Sequence, residues 1–404
     1  MRLAYFTNTY PRATDTFIRN EVLGLRKRGI DVITYSVRKT GSEHDIDADV
    51  VSEKQNTRYI LPFKIFPLIA LTFTKFIFMP VCFTKTLLLA IKTSRPGIKG
   101  HFLQIIYFLE AVVLAKHILD DEIEHVHNHL GDNSGTVALL AASLASIPFS
   151  ISIHGPHIFF DGLHWALDVK TKYAKFISCI GYFCKSQMML YSEKEYWSKF
   201  KIIRCGVDLK QFEYREPTNK ARKILYVGRL SAEKGIPILF DSISKLKNQN
   251  YDIELTLLGD GDDRAYLENL SREKNLDSSI RFAGFVSHEE IAKSLRDSDI
   301  FVLPSFAEGI PVALMEAMAI GIPVIATAVG GVTELVVDQE TGLVVSPADP
   351  DSLANAITRY VDSPDLCKSI STKARNKVAE EFNIDNQIDL LEGYFLEPNS
   401  ENKN

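Results

Sequence analysis

The chain has 404 residues, 46% hydrophobic and 24% charged, and its 46 Lys and Arg against 51 Asp and Glu leave a net charge of -5. This is ordinary globular composition, which excludes disordered, collagen-like and coiled-coil chains, and the acidic balance excludes a coat for nucleic acid. Five cysteines, odd in number and without close pairing, predict reduced thiols and no disulfide framework.

The first residues, Met1-Arg-Leu-Ala-Tyr-Phe, turn polar at Thr7 without the basic start and apolar run of a secretory leader. A cytoplasmic protein is therefore expected. Short apolar runs then alternate with helical patterns, the mark of βα units and parallel sheets. In the first half, strands are expected at 2–7, 31–36, 125–128, 149–154, 176–180 and 201–205, with helices at 15–28, 103–119 and 135–144.

One segment breaks the acidic average: between Lys54 and Leu109 there are eight Lys or Arg and no Asp or Glu. It is also rich in Phe, Leu and Ile. Lys64, Lys75 and Lys85, with Pro67 and Pro80, interrupt each apolar run before the ~18 residues that a spanning helix needs. Two readings remain open. Residues 60–92 lie on an anionic membrane surface, rings inserted and ammonium groups on lipid headgroups, or they form core helices whose lysines reach water.

A polar stretch at 207–222 with Pro217 predicts a linker, after which the βα pattern restarts. Strands are expected at 223–227, 253–258, 280–282, 300–303, 323–326 and 343–345, and helices at 236–247, 263–274, 289–297 and 311–319. Helical patterns at 354–361, 365–381 and 385–396 exceed what one such unit needs, and they are expected to cross back to the first domain before a polar tail at 398–404. The fold class is thus α/β, with two doubly wound, Rossmann-like domains facing across a cleft. Open α/β sheets bind ligands at the carboxyl ends of their strands, so chemistry is expected there.

Two strand ends stand out. At the first, Gly228-Arg-Leu-Ser-Ala-Glu-Lys-Gly places Arg229 and Lys234 before a helix, and a planar fork, a point charge and free helix amides together suit a diphosphate. At the second, Glu308-Gly-Ile-Pro opens a helix in which Pro311 is expected in the first turn and Glu316 lies about 7.5 Å further along the axis. Amides near Gly309 and Ile310 are expected to be free, and two spaced carboxylates suit the two hydroxyl-bearing ends of a nucleotide sugar.

Other patterns are weaker. His125, His127 and His129 alternate along a strand, which puts them in a row on one face, and no spaced carboxylate or cysteine completes a metal set. The Asp-x-Asp pairs at Asp45/Asp47 and Asp260/Asp262 are two-letter matches in loops, and Gly259-Asp-Gly261 lacks the third glycine of a dinucleotide fingerprint. No metal and no bound cofactor are expected.

Taken together, Gly228 to Gly235, the Glu308/Glu316 pair and Gly321-Ile-Pro-Val-Ile-Ala-Thr-Ala-Val-Gly-Gly-Val-Thr-Glu resemble glycosyltransferase family 4, retaining enzymes of GT-B fold. The first half is similar more loosely. Tyr10-Pro-Arg-Ala-Thr-Asp-Thr-Phe-Ile-Arg-Asn-Glu resembles an element of exopolysaccharide members such as the colanic acid and amylovoran transferases, and Ile153-His154-Gly155 resembles the family's His-Gly element. The resemblance implies an acceptor-binding domain at 1–206 and a donor-binding domain at 223–383, with 384–404 returning to the first. It implies that Arg229 and Lys234 hold the donor diphosphate, Glu308 the transferred sugar and Glu316 the ribose, with Gly228, Gly309, Ile310 and Pro311 around the donor. His154 is implied beside the donor sugar, and Thr14, Asp15, Thr16 and His129 on the acceptor side. The expected reaction transfers a sugar from a nucleoside diphosphate sugar, UDP favoured, to a polyprenyl-linked oligosaccharide with retention of configuration. The rival expectations are a non-catalytic nucleotide-sugar-binding subunit and a nicotinamide or flavin enzyme. His157 stands where many relatives have Asp, and the loop after the first strand lacks their Gly-Gly pair.

Overall fold

The computed structural model describes residues 1–398 other than 46, 219 and 220. The polar tail expected after Pro398 lies outside the described residues, as do two positions of the expected linker. The chain divides into two compact units: Met1–Ile203 together with the chain from Ile388 onward, and Arg204–Gln387.

The first unit is built on seven strands: β1 (Arg2–Thr9), β2 (Asp31–Arg38), β3 (Arg58–Tyr59), β4 (His125–His129), β5 (Phe149–Ile153), β6 (Ile177–Cys179) and β7 (Phe200–Ile202). All pair in parallel, in the order β3-β2-β1-β4-β5-β6-β7. Only the two-residue β3 was absent from the sequence pattern, being too short to show a period. β4 and β5 are buried along their whole length, as strands with helices on both faces must be.

The second unit has β8 (Lys223–Val227), β9 (Glu254–Leu258), β10 (Ile280–Gly284), β11 (Ile300–Leu303), β12 (Val324–Thr327) and β13 (Leu343–Val345), ordered β10-β9-β8-β11-β12-β13. In each unit the order reverses beside the first strand, between β1 and β4 and between β8 and β11. The crevice at such a reversal, outside the carboxyl ends, is where an open parallel sheet has room for a ligand.

Two expectations change. The stretch at 207–222 is not a free linker, because it packs on the second unit. Phe212 is buried, Val207 bridges Asn383, the Arg215 amide donates to the Ile320 carbonyl, and Arg375 Nη1 donates to the Phe212 carbonyl. Its polarity concealed one aromatic anchor and several backbone partners. The prolines of the basic segment also do not break it up. Pro67 sits in the first turn of the helix Ile65–Phe78 and Pro80 opens the helix Pro80–Lys92, the end at which a missing N–H costs nothing. These two helices meet at a bend of 116°, and the next, Ile98–Asp120, is the one described helix long and apolar enough by itself to cross a membrane. It buries Phe108, Ala111, Val112, Leu114 and Ala115 within the first unit.

Candidate functional site

In the second unit the loops after β8 and β11 are locked to one another. Gly235 takes the left-handed region at φ 63°, and a Cβ there would lie 2.2 Å from the Pro304 carbonyl, so only glycine admits the approach. The Phe306 amide donates to the Glu233 carbonyl at 2.7 Å. This packing brings Lys234 onto Glu308: Lys234 Nζ donates to Oε1 at 2.7 Å, and the Ser305 hydroxyl donates to the same oxygen at 2.6 Å. Both residues are well shielded, with Glu308 at 8% exposure. One carboxylate oxygen is thus saturated by protein while Oε2 remains for a ligand.

Arg229 is exposed, and its guanidinium forms no ion pair among the described residues. The Tyr226 hydroxyl fixes the turn beneath it by donating to the Arg229 carbonyl at 2.8 Å, and the Gly228 amide is bonded to the Leu258 carbonyl. Helix Val312–Ile320 starts one residue later than expected, with Pro311 at the cap and no side-chain cap. Pro311 at φ -71° and ψ 125° has the extended backbone of a cap, so the expected first-turn position is corrected. The amides of Gly309 and Ile310 donate no hydrogen bond among the described residues, while the Gly309 carbonyl accepts from Gly331 at 3.0 Å. Glu316, the fifth residue of that helix, is 6% exposed and has no partner among the described residues; burial pushes its carboxyl up to about 8. Asp260 belongs to its own turn, accepting from the Gly261 amide and from Arg264 at 3.1 Å.

In the first unit the equivalent reversal holds a buried histidine array. His125, His127 and His129 do share one face of β4, with β5 serines alongside: the Ser150 hydroxyl lies 2.7 Å from both His125 and His127, and the Ser152 hydroxyl 2.9 Å from His127. His129 Nδ1 is 2.8 Å from His154 Nε2, and the two rings stack at 5.0 Å. Phe17 covers His154 at 4.5 Å between ring centroids. Burial, followed by the neighbouring His129 and His157, holds His154 well below the usual imidazole range.

The expectation that no carboxylate joins this row is overturned, because Glu21 reaches within 3.3 Å of His129 Nε2. Donor atoms of Glu21, His127 and His129 lie within 4.8 Å of one another. Both ring nitrogens of His127 are already engaged by the two serines, whereas His129 Nε2 is buried without a hydrogen bond and meets Glu21 only at ion-pair distance. Phe17 and Glu21 stand four apart on helix Thr16–Lys27, a spacing that marked one helix face in the sequence. Of the acceptor-side candidates, Asp15 and His129 are buried, Asp15 being held by Arg12 at 3.0 Å, while Thr14 is exposed and Thr16 half-buried. Lys170, also missed, is fully buried and donates to the Gly131 and Asp132 carbonyls at 2.7 Å, bracing the loop after β4; burial lowers its ammonium to about 7.

Residues 209–377 match the family described as glycosyl transferases group 1. The matched residues all lie within the second unit. Among curated proteins, a putative colanic acid biosynthesis glycosyltransferase of Salmonella typhimurium is 35% identical over 195 residues, 46% of this chain and 48% of that protein. An amylovoran biosynthesis glycosyltransferase of Erwinia amylovora is 34% identical over 193 residues, 46% of this chain and 47% of that protein. The chain therefore spans about half the length of these relatives. HepE of Anabaena, crystallised with UDP and glucose, is 16% identical and superposes with a TM-score of 0.73 over 98% of this chain and 99% of that one. The likeness shows the fold, that of GT-B glycosyltransferases. Within the matched residues, Arg229, Lys234, Glu308 and Glu316 all lie on the loops and helix that follow β8 and β11.

Proposed function

We propose that this chain is a retaining glycosyltransferase that moves a sugar from a UDP-sugar to a polyprenyl-linked oligosaccharide in exopolysaccharide, capsule or O-antigen assembly. The observation that carries the reading is the Lys234–Glu308 pair beside an unpaired Arg229 at the strand-order reversal of the second unit. Breaking an anomeric C–O bond leaves charge on the departing diphosphate, and fixed cations in a shielded site stabilise that charge as it develops. Arg229 and Lys234 fill this role, Glu308 Oε2 and the free amides of Gly309 and Ile310 hold sugar hydroxyls, and Glu316 takes the ribose diol.

No side chain is assigned as nucleophile, and the leaving phosphate itself takes the acceptor proton in a front-face reaction with retention. His154 is also assigned to catalysis in this reading. Two fixed cations make a divalent metal unnecessary in this reading, and activity is expected to survive chelation. The relatives named for colanic acid and amylovoran biosynthesis support an exopolysaccharide acceptor. The exposed apolar and basic helices at 60–92 support a cytoplasmic protein on the inner face of an anionic membrane, and flotation with anionic vesicles checks this: salt-resistant absence from the vesicles removes it.

The deciding experiment is thermal unfolding with UDP, GDP or ADP, for the parent and for Arg229→Ala. A ligand of the folded state raises the midpoint. UDP is expected to stabilise the parent alone; a shift of the same size in Arg229→Ala rejects the diphosphate assignment. Nucleotide binding without transfer to any lipid-linked acceptor favours a non-catalytic subunit instead.

A further inference from the structure

Between helices Ile65–Phe78, Pro80–Lys92 and Ile98–Asp120 lies an open cavity of about 680 Å³. Its wall includes Leu68, Thr72, Phe76, Phe83, Ile106 and Leu109. Thr72 is the one residue of the wall with a polar side chain, and its hydroxyl donates to the Leu68 carbonyl at 2.8 Å. The wall therefore presents no free hydrogen-bonding group. The cavity is open, with Ile69, Phe73 and Phe76 of its wall 61%, 62% and 48% exposed, and an apolar wall without free polar groups suits a hydrocarbon ligand.

The surroundings have the same character. Phe66, Phe73 and Phe78 on the first of these helices are 86%, 62% and 79% exposed, and Ile98 and Phe102 on the third are 91% and 62% exposed. An apolar surface of this extent needs a partner. Exposed lysines, Lys64, Lys85, Lys92 and Lys99, punctuate it, with no acidic residue between Lys54 and Leu109. Lys64 adjoins Phe63 in the wall and precedes Leu68, Thr72 and Phe76 at steps of four, so it stands at the head of the helical stripe that lines the cavity.

We infer that this cavity holds the hydrocarbon chain of the lipid-linked acceptor, an isoprenoid chain whose phosphate is met by Lys64. The assignment rests on the acceptor class proposed above. One cavity takes one chain, which a polyprenyl phosphate has and a two-chain membrane phospholipid exceeds. The lysine at the head of that stripe matches a phosphate at the end of that chain, whereas an uncharged lipid would leave Lys64 without a role.

The test uses the full chain with farnesyl phosphate, a soluble short-chain probe, in calorimetric titration. Thr72→Trp and, independently, Ile106→Trp fill the cavity, and circular dichroism with the UDP-induced midpoint shift verifies that each variant is folded. Each is expected to weaken farnesyl phosphate binding at least tenfold while leaving the UDP shift unchanged; parental affinity in both folded variants overturns the proposal. Lys64→Gln is expected to weaken farnesyl phosphate but not farnesol. Equal affinity for a one-chain lysophospholipid overturns the isoprenoid assignment in favour of an acyl chain. A UDP shift without farnesyl phosphate binding rejects the cavity alone, and farnesyl phosphate binding without any nucleotide response rejects the transferase reading instead.

Discussion

The two units place different chemistry at the same topological position. Beyond β8 and β11 the second unit gathers charged groups, an exposed Arg229 and the Lys234–Glu308 pair, with Glu316 buried nearby on the following helix and its charged form disfavoured. Beyond β1 and β4 the first unit gathers imidazoles, with His154 held between Phe17 and His129 and its charged form disfavoured by burial. One edge carries cationic side chains and the other a stack of imidazoles whose charged forms burial disfavours. A shared fold therefore sets where ligands bind, and the loop residues decide which.

The sharpest way to break this contrast is to remove the charge of the second unit. Glu308→Gln and Lys234→Ala are each expected to lower transfer roughly 10²–10³-fold, the size seen when one stabilising group of a transition state is lost. The double variant is expected to cost far less than the product of the two, because the residues bond directly at 2.7 Å. Steady-state kinetics of the three variants checks this, and multiplicative losses would mean that the pair does not act as a unit.

A smaller effect concerns Glu316. Its carboxyl titrates near 8 instead of 4.5, so the protonated form favours the fold and stability falls as pH rises through that interval, levelling above it. Glu316→Gln is expected to unfold several degrees above the parent at about pH 9 and close to it at about pH 5. The same variant is expected to bind UDP more weakly at the higher pH. Thermal scans across the interval decide it, and a difference independent of pH would contradict the burial argument.

The smallest expected effect is in the first unit. Glu21 stands behind His129, which stands behind His154, so Glu21 acts as a positioning residue. Glu21→Gln is expected to reduce kcat about tenfold with the donor KM unchanged, and to move the ring-nitrogen resonances of His154 while the unfolding midpoint stays put. Unmoved His154 resonances would reduce Glu21 to a packing role.

Much of this was legible before any coordinates. Twelve strands were expected and all twelve appear, because a strand with both faces covered is a short unbroken apolar run, as in Ile300-Phe-Val-Leu. Their order and the reversal points were not legible, since pairing is decided by which strands meet in space. The tract at 207–222 failed as a linker because its binding to the second unit depends on backbone groups and one Phe, which composition averages away.

The sequence by itself determined the α/β class, the two βα series, the cations and carboxylates of the loops after β8 and β11, and the basic aromatic character of 60–92. Those are properties of local pattern and residue chemistry, which no packing alters. Only the tertiary structure decided that Lys234 meets Glu308 across 74 positions, that Glu21 completes the histidine row, that Glu316 is buried without a partner, and that three apolar helices leave a cavity between them. Each of these is a matter of distance and desolvation, and both are set by how the chain closes on itself.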